Sequence, residues 1–364
     1  MKIAVDGYEI GIHSTGVGRV IGNLLPPLFD LLPDDAFTIL TTEVADKYSR
    51  PRVKQVLLPS RGGYFRWLNG PFRRSLNKLA PDLIIAPNYV LPLFSRPLSI
   101  LFEHDLSVLV HPEWYPRRFG LTRRLLILRS LKEADLVIVP SQFTKNEILS
   151  HTRLDSAKIR LLRYGVEKQF RRSEEESLVR WKKGKGLAGR RIVGFLGSIF
   201  NRRHIPELVK AADLLRKDIP ELVLFIVGRD LTYPPLPIGG SLDKEWIRWE
   251  PMMTEMELPL YYSSLEAFAY LSEYEGFGFP PLEALACGTI PVLLNKSSLS
   301  EIFQDMAVMV ENPVPELICG ALAAAMTDRG IKDSLLSRFA EKKEEFSWRK
   351  AAEEFARIRK ELGP

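Results

Sequence analysis

The residues with the clearest chemical meaning lie near position 280, where two glutamates stand eight positions apart. Glu275 precedes Gly276 and Gly278, a proline pair follows at 280–281, and Glu283 comes next. The glycines permit a tight turn that exposes the backbone, and a proline suits the first turn of a helix. Such a helix start binds anions such as a diphosphate. Because carboxylates repel phosphate, we expect the two glutamates to bind hydroxyls, as on a ribose and a hexose. The alternative is a helix start with incidental acids.

A second polar group follows an apolar run at 191–196. It begins at Gly197 and contains the adjacent cations Arg202 and Arg203. Two guanidinium groups side by side can neutralise a departing diphosphate, which is the main catalytic requirement when no metal is present. A solvated surface pair is the alternative.

The first half of the chain offers a glycine pair and a histidine. Gly16 and Gly18 precede a helix predicted to begin near Val20, and they would let the backbone approach a ligand. They lie too far beyond the first strand for a dinucleotide fingerprint, so a purely structural turn is the alternative. His104 and Asp105 follow a predicted strand, which places them at the rim of a cleft in a doubly wound domain. Weaker candidates are Glu103, His13 and His111.

Short apolar runs alternate with helical patterns along the chain, which predicts parallel sheets covered on both faces. The predicted strands are 2–6, 37–41, 83–87, 98–102, 136–140, 191–196, 222–227, 267–271 and 290–294. The predicted helices are 20–32, 121–131, 144–150, 205–217, 281–287, 315–326 and 348–362. A polar, glycine-bearing stretch interrupts the pattern. The fold class is therefore α/β, with two Rossmann-like doubly wound domains at 1–168 and 191–345, a linker at 169–190, and ligand in the cleft between them.

Composition narrows the class of protein further. Hydrophobic residues make up 46% of the 364 positions and charged residues 26%, as in globular proteins with a full core. No apolar run reaches the roughly 18 to 20 residues of a membrane-spanning helix, and Asp6 interrupts the first apolar stretch before it resembles a signal peptide. Cys287 and Cys319 match no zinc or redox motif. We expect a cytoplasmic protein without a metal cofactor, since neither an Asp-x-Asp motif nor a metal cluster is evident.

The positive charge is concentrated in the first half. Residues 1–167 contain 23 Lys and Arg against 16 Asp and Glu, whereas the remainder is nearly balanced. Much of this excess falls at 66–74 and 117–129, where arginines alternate with aromatic residues and leucines. Such a surface suits anionic lipid headgroups at the inner face of a membrane, or a charged acceptor. Solvated helix faces are the alternative. Nucleic acid is not expected, because no recognised binding motif accompanies the charge.

Taken together, these motifs resemble one family. The sequence EGFGFPPLEALACGTIPV at 275–292 is similar to the signature of retaining family-4 (group 1) glycosyltransferases of the GT-B fold. GSIFNRRH at 197–204 resembles the family's GxxxPRKN element, although Asn201 replaces the usual proline. Shorter similarities are ADLVIVPSQFT at 134–144, RYGV at 163–166 and SSLSE at 297–301. The segment FSW at 346–348 resembles the point where the GT-B chain crosses back, which implies that helix 346–364 packs on the N-terminal domain.

The resemblance implies a role for each candidate residue. Glu283 would hold the ribose of a nucleoside-diphosphate sugar, and Glu275 would contact hydroxyls of the transferred hexose. His104 would also contact that sugar. The diphosphate would bind to the glycine-containing loops and the arginine pair. This donor-binding set is Gly16, Gly18, Gly197, Arg202, Arg203 and the backbone N–H groups of Gly276, Phe277 and Gly278.

The implied reaction is transfer of a hexose to an acceptor hydroxyl with retained configuration. In the family this is described as front-face attack, in which the leaving phosphate takes the acceptor proton. A sugar or lipid-linked acceptor in bacterial surface polysaccharide or glycolipid assembly is expected. Two alternatives stay open: another GT-B enzyme, such as a nucleotide-sugar epimerase or a phosphorylase, and a non-catalytic subunit that retains nucleotide-sugar binding.

Overall fold

A computed structural model describes residues 1–11, 16–94, 97–236 and 242–363 of the chain. They form two compact units. Unit 1 comprises Met1–Gly165 together with Glu345–Pro364, and unit 2 comprises Val166–Glu344.

Unit 1 is built on a parallel sheet of seven strands. These are β1 (Lys2–Gly7), β2 (Ala36–Thr41), β3 (Val53–Leu57), β4 (Leu83–Ala86), β5 (Leu98–Phe102), β6 (Leu136–Val139) and β7 (Ile159–Leu161). Their order is β3-β2-β1-β4-β5-β6-β7. The central strands are short and apolar because helices cover both faces of a parallel sheet. The helices are α1 (Gly16–Leu31), α2 (Tyr64–Trp67), α3 (Arg73–Leu79), α4 (Ser107–Val110), α5 (Arg117–Glu133) and α6 (Gln142–His151).

Unit 2 repeats the arrangement on a parallel sheet of six strands. These are β8 (Arg191–Leu196), β9 (Leu222–Val227), β10 (Ile247–Glu250), β11 (Ala267–Tyr270), β12 (Pro291–Leu294) and β13 (Val308–Val310), in the order β10-β9-β8-β11-β12-β13. Its helices are α7 (Glu175–Gly184), α8 (Ile205–Leu215), α9 (Leu258–Ser264), α10 (Phe279–Ala286), α11 (Ser297–Phe303), α12 (Pro315–Thr327) and α13 (Arg329–Lys342). Both sheets reverse their strand order beside the first strand of the unit, which confirms the predicted doubly wound class.

The last helix, α14 (Trp348–Lys360), belongs to unit 1 although it follows unit 2 in the chain. It packs on α1. Phe355 stacks on Phe102 at 5.8 Å between ring centres, and Arg359 pairs with the buried carboxylate of Asp35 at 2.5 Å. The predicted return of the C-terminal helix to the first domain is thus confirmed.

Two details of the sequence-based assignment are wrong. The stretch 169–190 contains helix α7 and belongs to unit 2, so it is not a linker. Its charges match the helix dipole, with acids in the first turn and lysines in the last. Leu178 is buried, and Trp181 stacks on Phe225. Helix α1 begins at Gly16 rather than near Val20, so the glycine pair lies in its first turn.

Among the described residues, no helix combines the length and the apolar composition that crossing a bilayer requires.

Candidate functional site

The two motif clusters of unit 2 meet at one edge of its sheet. Strands β8 and β11 are hydrogen-bonded neighbours, so the loops that follow them leave from the same edge. The backbone N–H of Glu273 donates to the carbonyl of Arg202 at 3.0 Å. This hydrogen bond joins two loops that lie about seventy positions apart in the sequence.

Glu275 and Arg203 form the centre of this edge. Arg203 donates from Nε and Nη2 to Oε1 of Glu275 at 3.1 and 2.7 Å, and from Nη1 to the carbonyl of Ser198 at 2.7 Å. The hydroxyls of Tyr270 and Ser272 donate to the same Oε1 at 3.0 and 2.8 Å. All the hydrogen bonds that Glu275 side-chain oxygens accept from the described residues end on Oε1. Oε2 is the oxygen left for a ligand.

The charge state of Glu275 follows from this environment. Burial raises the pKa of the carboxyl, but the positive charges of Arg203 and Arg202 and the hydrogen bonds outweigh it, so the pKa lies below the ordinary value. Burial raises the pKa of Tyr270 far above neutrality. The site therefore presents a carboxylate beside a neutral phenol at physiological pH.

Two serines at the start of α11 fix the loop that carries Glu275. The backbone N–H of Glu275 donates to Oγ of Ser297 at 3.1 Å. The Ser298 hydroxyl lies 2.8 Å from the Glu275 carbonyl and 3.3 Å from the Phe277 carbonyl, and both oxygens are acceptors. The SSLSE turn thus has a physical role: it holds the backbone on which the carboxylate is mounted.

The loop ends at the N-terminus of α10. Gly278 has φ +106°, a left-handed conformation that favours glycine, and a Cβ there would lie 2.9 Å from Leu299. Pro280 and Pro281 occupy the first turn, as predicted. No group in the described part of the chain accepts a hydrogen bond from the backbone N–H of Gly276 or Gly278. These donors and the helix dipole make the turn a site for an anion.

Glu283 lies inside α10 and is fully buried. Its Oε2 accepts a hydrogen bond of 2.7 Å from the hydroxyl of Tyr262, which belongs to α9. Sequence reasoning missed Tyr262, because no motif surrounds it and the contact spans twenty-one positions. The hydrogen bond orients the carboxylate within α10.

The loop after β8 is shaped by two glycines in unusual conformations. Gly197 has φ +137°, and a Cβ on it would lie 2.7 Å from Nη1 of Arg203. Gly228, after β9, has φ +155°, and a Cβ on it would lie only 1.9 Å from the Gly197 carbonyl oxygen. Gly197 was a predicted site residue. Gly228 was missed because the need for a glycine there comes from its contact with the loop after a different strand.

Arg202 and Arg203 sit in a short helical turn at Asn201–Arg203. The guanidinium carbon of Arg202 lies 4.6 Å from the centre of the Phe200 ring, and that of Arg203 lies 5.3 Å from it. Arg203 is buried against Glu275, and Arg202 is half-buried. The two predicted cations therefore differ: Arg203 is part of the carboxylate's support, and Arg202 adds a second positive charge.

The predicted residues of the first half all lie in unit 1. His104 has Nε2 at 2.8 Å from the carbonyl of Pro87, and its Nδ1 lies 2.8 Å from the hydroxyl of Tyr164. Burial lowers the pKa of His104 to about 4, although Pro87 and Asp105 oppose the shift. The ring is therefore neutral at physiological pH. The weaker candidate His13 lies outside the described residues.

The described ranges contain no group of three or more His, Cys, Asp or Glu side chains arranged to hold a metal ion.

Family sequence models match the chain in two successive parts. Residues 28–170 match the family described as Glycosyltransferase Family 4, and residues 180–346 match Glycosyl transferases group 1. The chain belongs to the group 1, family 4 glycosyltransferases. Together the two matches include Glu275, Glu283, His104 and the arginine pair.

Individual relatives of this family-4 glycosyltransferase are distant in sequence. It is 26% identical over 267 residues to the O-antigen chain mannosyltransferase B of Escherichia coli, which covers 72% of this chain and 70% of that protein. It is 25% identical over 242 residues to the D-inositol 3-phosphate glycosyltransferase of Salinispora arenicola, covering 59% of this chain and 52% of that protein.

The fold is shared over almost the whole length with the crystal structure of Anabaena HepE in complex with UDP and glucose. The TM-score is 0.75 and the identity 13%, with 98% of each chain covered. The two-domain α/β fold of this chain is thus the GT-B fold.

Proposed function

We propose that this glycosyltransferase moves a hexose, of mannose or glucose type, from a nucleoside-diphosphate sugar to an acceptor hydroxyl, with retention of anomeric configuration. One observation carries the proposal. The ionised carboxylate of Glu275 is held through Oε1 by Arg203, and it stands next to the open backbone donors of Gly276 and Gly278 at the start of α10. A carboxylate that accepts hydrogen bonds from hydroxyl groups thus lies beside N–H groups that donate hydrogen bonds to phosphate.

Each part of the site matches a part of the donor. Oε2 of Glu275 accepts a hydrogen bond from a hexose hydroxyl, and the N–H groups of Gly276, Phe277 and Gly278 bind the sugar and the phosphates. Glu283 accepts hydrogen bonds from the ribose, with Tyr262 holding its carboxylate in place. A phosphate at this turn gains from the dipole of α10.

In the proposed step, the bond between the anomeric carbon and the phosphate oxygen breaks, and the acceptor oxygen bonds to the same face of that carbon. The acceptor proton passes to an oxygen of the departing diphosphate. Arg202 and the start of α10 stabilise the negative charge that develops there, and Arg203 adds its charge while supporting Glu275. These groups supply the role that a metal ion has in other transferases, so we propose metal-independent transfer.

The acceptor proposed is a sugar or a lipid-linked glycan in bacterial surface polysaccharide or glycolipid assembly, at the cytoplasmic face of the membrane. Support comes from the similarity to an O-antigen mannosyltransferase and from the basic surplus of residues 1–167.

The first test is thermal unfolding in the presence of UDP, GDP, ADP, dTDP or CDP, with and without EDTA. A ligand at a hundred times its Kd stabilises the fold by about 2.7 kcal/mol. We expect one diphosphate to raise the Tm equally in both conditions, and Glu283→Gln to abolish the rise. Glu266→Gln, which removes a partly exposed partner of Arg191, is the matched control and should retain it.

The second test is transfer of radiolabelled sugar from the matching donor to a membrane extract. Glu275→Gln should lose transfer while retaining nucleotide binding. A wild-type chain that binds the nucleotide and transfers nothing would instead be the non-catalytic binding subunit.

A further inference from the structure

A contact between His204 and Glu273 joins the two loops of the donor site through their side chains. His204 follows the arginine pair in the loop after β8, and Glu273 lies two positions before Glu275 in the loop after β11. Nε2 of His204 lies 3.1 Å from Oε1 of Glu273. Neither residue was predicted as a site residue from the sequence, and the proposed function assigns no role to either.

The backbone of His204 places the imidazole between two elements. Its φ of +50° and ψ of 42° are left-handed, a conformation that most side chains avoid and in which asparagine and histidine are enriched. The residue ends the helical turn at Asn201–Arg203 and precedes the first residue of α8. Its carbonyl accepts a hydrogen bond of 3.0 Å from the N–H of Leu208 in that helix. The imidazole is therefore carried on the rigid start of α8.

Both nitrogens of the His204 ring face carboxylates. Nδ1 lies 3.6 Å from Oε2 of Glu207, which is three positions further along the chain in α8, and Nε2 faces Glu273. A carboxylate only accepts hydrogen bonds and a neutral imidazole has one N–H, so only the imidazolium presents a proton to both acids. The contact with Glu207 stays within one element. The contact with Glu273 is the one that reaches the other loop.

This contact lies next to two others between the same loops. The backbone N–H of Glu273 donates to the carbonyl of Arg202 at 3.0 Å. Arg203 donates from Nη2 to Oε1 of Glu275 at 2.7 Å. Three consecutive residues of the first loop thus contact the second loop, and His204 is the last of them. A change in its contact with Glu273 therefore acts on the segment that carries Glu275.

The pair is partly buried, so its strength depends on charge and on pH. The side chains of His204 and Glu273 are 18% and 35% exposed, and partial burial reduces screening by solvent ions. The charged groups around the imidazole are Glu207 on α8, Glu273 on the loop after β11, and Arg202 and Arg203 in the turn before it. An imidazole changes charge between about pH 5 and 8, and the ion pair exists only while the ring is protonated.

We propose that His204 is a positioning residue for the sugar donor. Its imidazolium holds Glu273, and the loop that carries Glu275 is thereby fixed against the loop that carries Arg202. His204 acts through Glu273 and does not contact the donor itself. When the imidazole is neutral, the two loops are held less firmly and the donor binds more weakly. The inference rests on the proposed transferase function and adds to it a residue that makes donor binding depend on pH.

The test is a double-mutant cycle on the full chain, measured by calorimetric titration of UDP, GDP, ADP, dTDP or CDP, whichever raises the Tm of the wild type. Titrations are made at about pH 5.5 and about pH 8.5, on either side of the range in which an imidazole changes charge. His204→Asn removes the charge but keeps a residue that tolerates the left-handed conformation. Glu273→Gln removes the opposite charge.

At the lower pH we expect each single variant to bind the nucleotide about fivefold more weakly than the wild type. The double variant should be no weaker than either, because both changes remove the same interaction. At the higher pH, where the ring is neutral in the wild type as well, His204→Asn should differ from the wild type by less than about twofold.

The matched control is Glu207→Gln, which removes the other carboxylate that faces the same ring. It should leave the affinity within about twofold at both pH values, because a pair within one helix contributes little. The Tm of every variant is measured beside the affinity. A lower Tm with unchanged affinity in His204→Asn would reduce the pair to a structural role. Equal losses of affinity at both pH values, or additive losses in the double variant, would also overturn the inference.

The same titrations separate this inference from the proposed function. If the wild type binds a nucleoside diphosphate and the variants bind it equally well, only the positioning role of His204 fails. If the wild type binds none of the five diphosphates, the proposed function fails, and the role of His204 in donor binding fails with it.

Discussion

The Tyr164 hydroxyl donates a hydrogen bond of 2.8 Å to Nδ1 of His104. The direction is fixed because the other ring nitrogen, Nε2, faces the carbonyl of Pro87, which can only accept. Burial lowers the pKa of His104 to about 4 and so keeps the imidazole neutral, and the carbonyl of Pro87 places its single proton on Nε2. A sugar hydroxyl can reach a ring nitrogen only by displacing Tyr164 or Pro87.

The first prediction concerns this pair. In Tyr164→Phe the neutral ring loses a hydrogen-bond donor, so we expect the pKa of His104 to rise by less than about one unit, because burial, which lowers it to about 4, remains. The free energy of unfolding should fall by about 1 kcal/mol. NMR titration of the histidine resonances measures the first effect. Tyr48→Phe is the control, because the buried Tyr48 hydroxyl has no hydrogen-bond partner among the described residues. An unchanged pKa of His104 in Tyr164→Phe would contradict the assignment.

The second prediction concerns Asp6, whose pKa burial raises to about 6, although hydrogen bonds from Tyr64 and Tyr8 oppose the shift. The folded chain therefore binds more protons than the unfolded chain between pH 3.8 and 6, and this group makes stability fall as pH rises through that window. Asp6→Asn removes the effect. The difference in free energy of unfolding, Asp6→Asn minus wild type, should increase by about 3 kcal/mol between pH 3.8 and pH 7.

Urea unfolding of unit 1 at four pH values tests this. The free energy of unfolding of Asp34→Asn, a change at an exposed side chain, should vary with pH as that of the wild type does. Parallel curves for Asp6→Asn would mean that the buried carboxyl is not the cause.

A third prediction follows from the Arg203–Glu275 ion pair. In Arg203→Gln, burial prevails and the pKa of Glu275 rises. The acid limb of kcat/KM should then move to higher pH, and its plateau should fall by about a hundredfold. Arg191→Gln breaks the partly exposed pair with Glu266 and should do neither. An unshifted acid limb in Arg203→Gln would show that Glu275 does not set it.

The fourth prediction separates two adjacent buried tyrosines. Tyr262→Phe removes the donor to Glu283 and should weaken nucleoside-diphosphate binding about tenfold. Tyr261 donates to the carbonyls of Phe195 and Phe225, at 2.9 Å each, so Tyr261→Phe should lower the Tm without changing that affinity. Calorimetric titration and thermal unfolding of both variants distinguish them. Equal losses of affinity would reduce the role of Tyr262 to packing.

A fifth prediction uses the contact between two backbones. Gly228→Ala places a methyl group 1.9 Å from the Gly197 carbonyl oxygen, so the loop after β8 must move, and nucleotide affinity should fall by at least about tenfold. Gly184→Ala, at the end of α7 with open space around it, should be neutral or stabilise by up to about 1 kcal/mol. Unchanged affinity in Gly228→Ala would mean that this loop does not position the donor.

Much of this architecture is readable from local sequence. The apolar runs that became β6 and β9 have no polar interruption, and that of β5 has only Ser99. Turn glycines and prolines mark the start of α10. Strand β3, VKQVL, was missed because an edge strand carries polar residues on its open side.

Contacts between residues far apart in the sequence could not be predicted from local patterns. The charged face of α7 resembles a linker until Leu178 and Trp181 are seen packed in unit 2. Arg203 and Glu275 were each assigned a ligand, yet they bind each other across seventy-two positions. That pairing is possible because β8 and β11 are neighbouring strands in the sheet.

The chain leaves unit 1 at Gly165 and returns at Glu345. On the ribosome, the first segment therefore emerges before the helix that covers α1 has been made. At about 5–20 residues per second, Phe102 waits roughly 13–50 s for Phe355 to be synthesised, and Asp35 waits roughly 16–65 s for Arg359. Unit 2, whose chain is continuous, can complete its core during that interval. The half of the protein that is translated first is thus the half that finishes folding last.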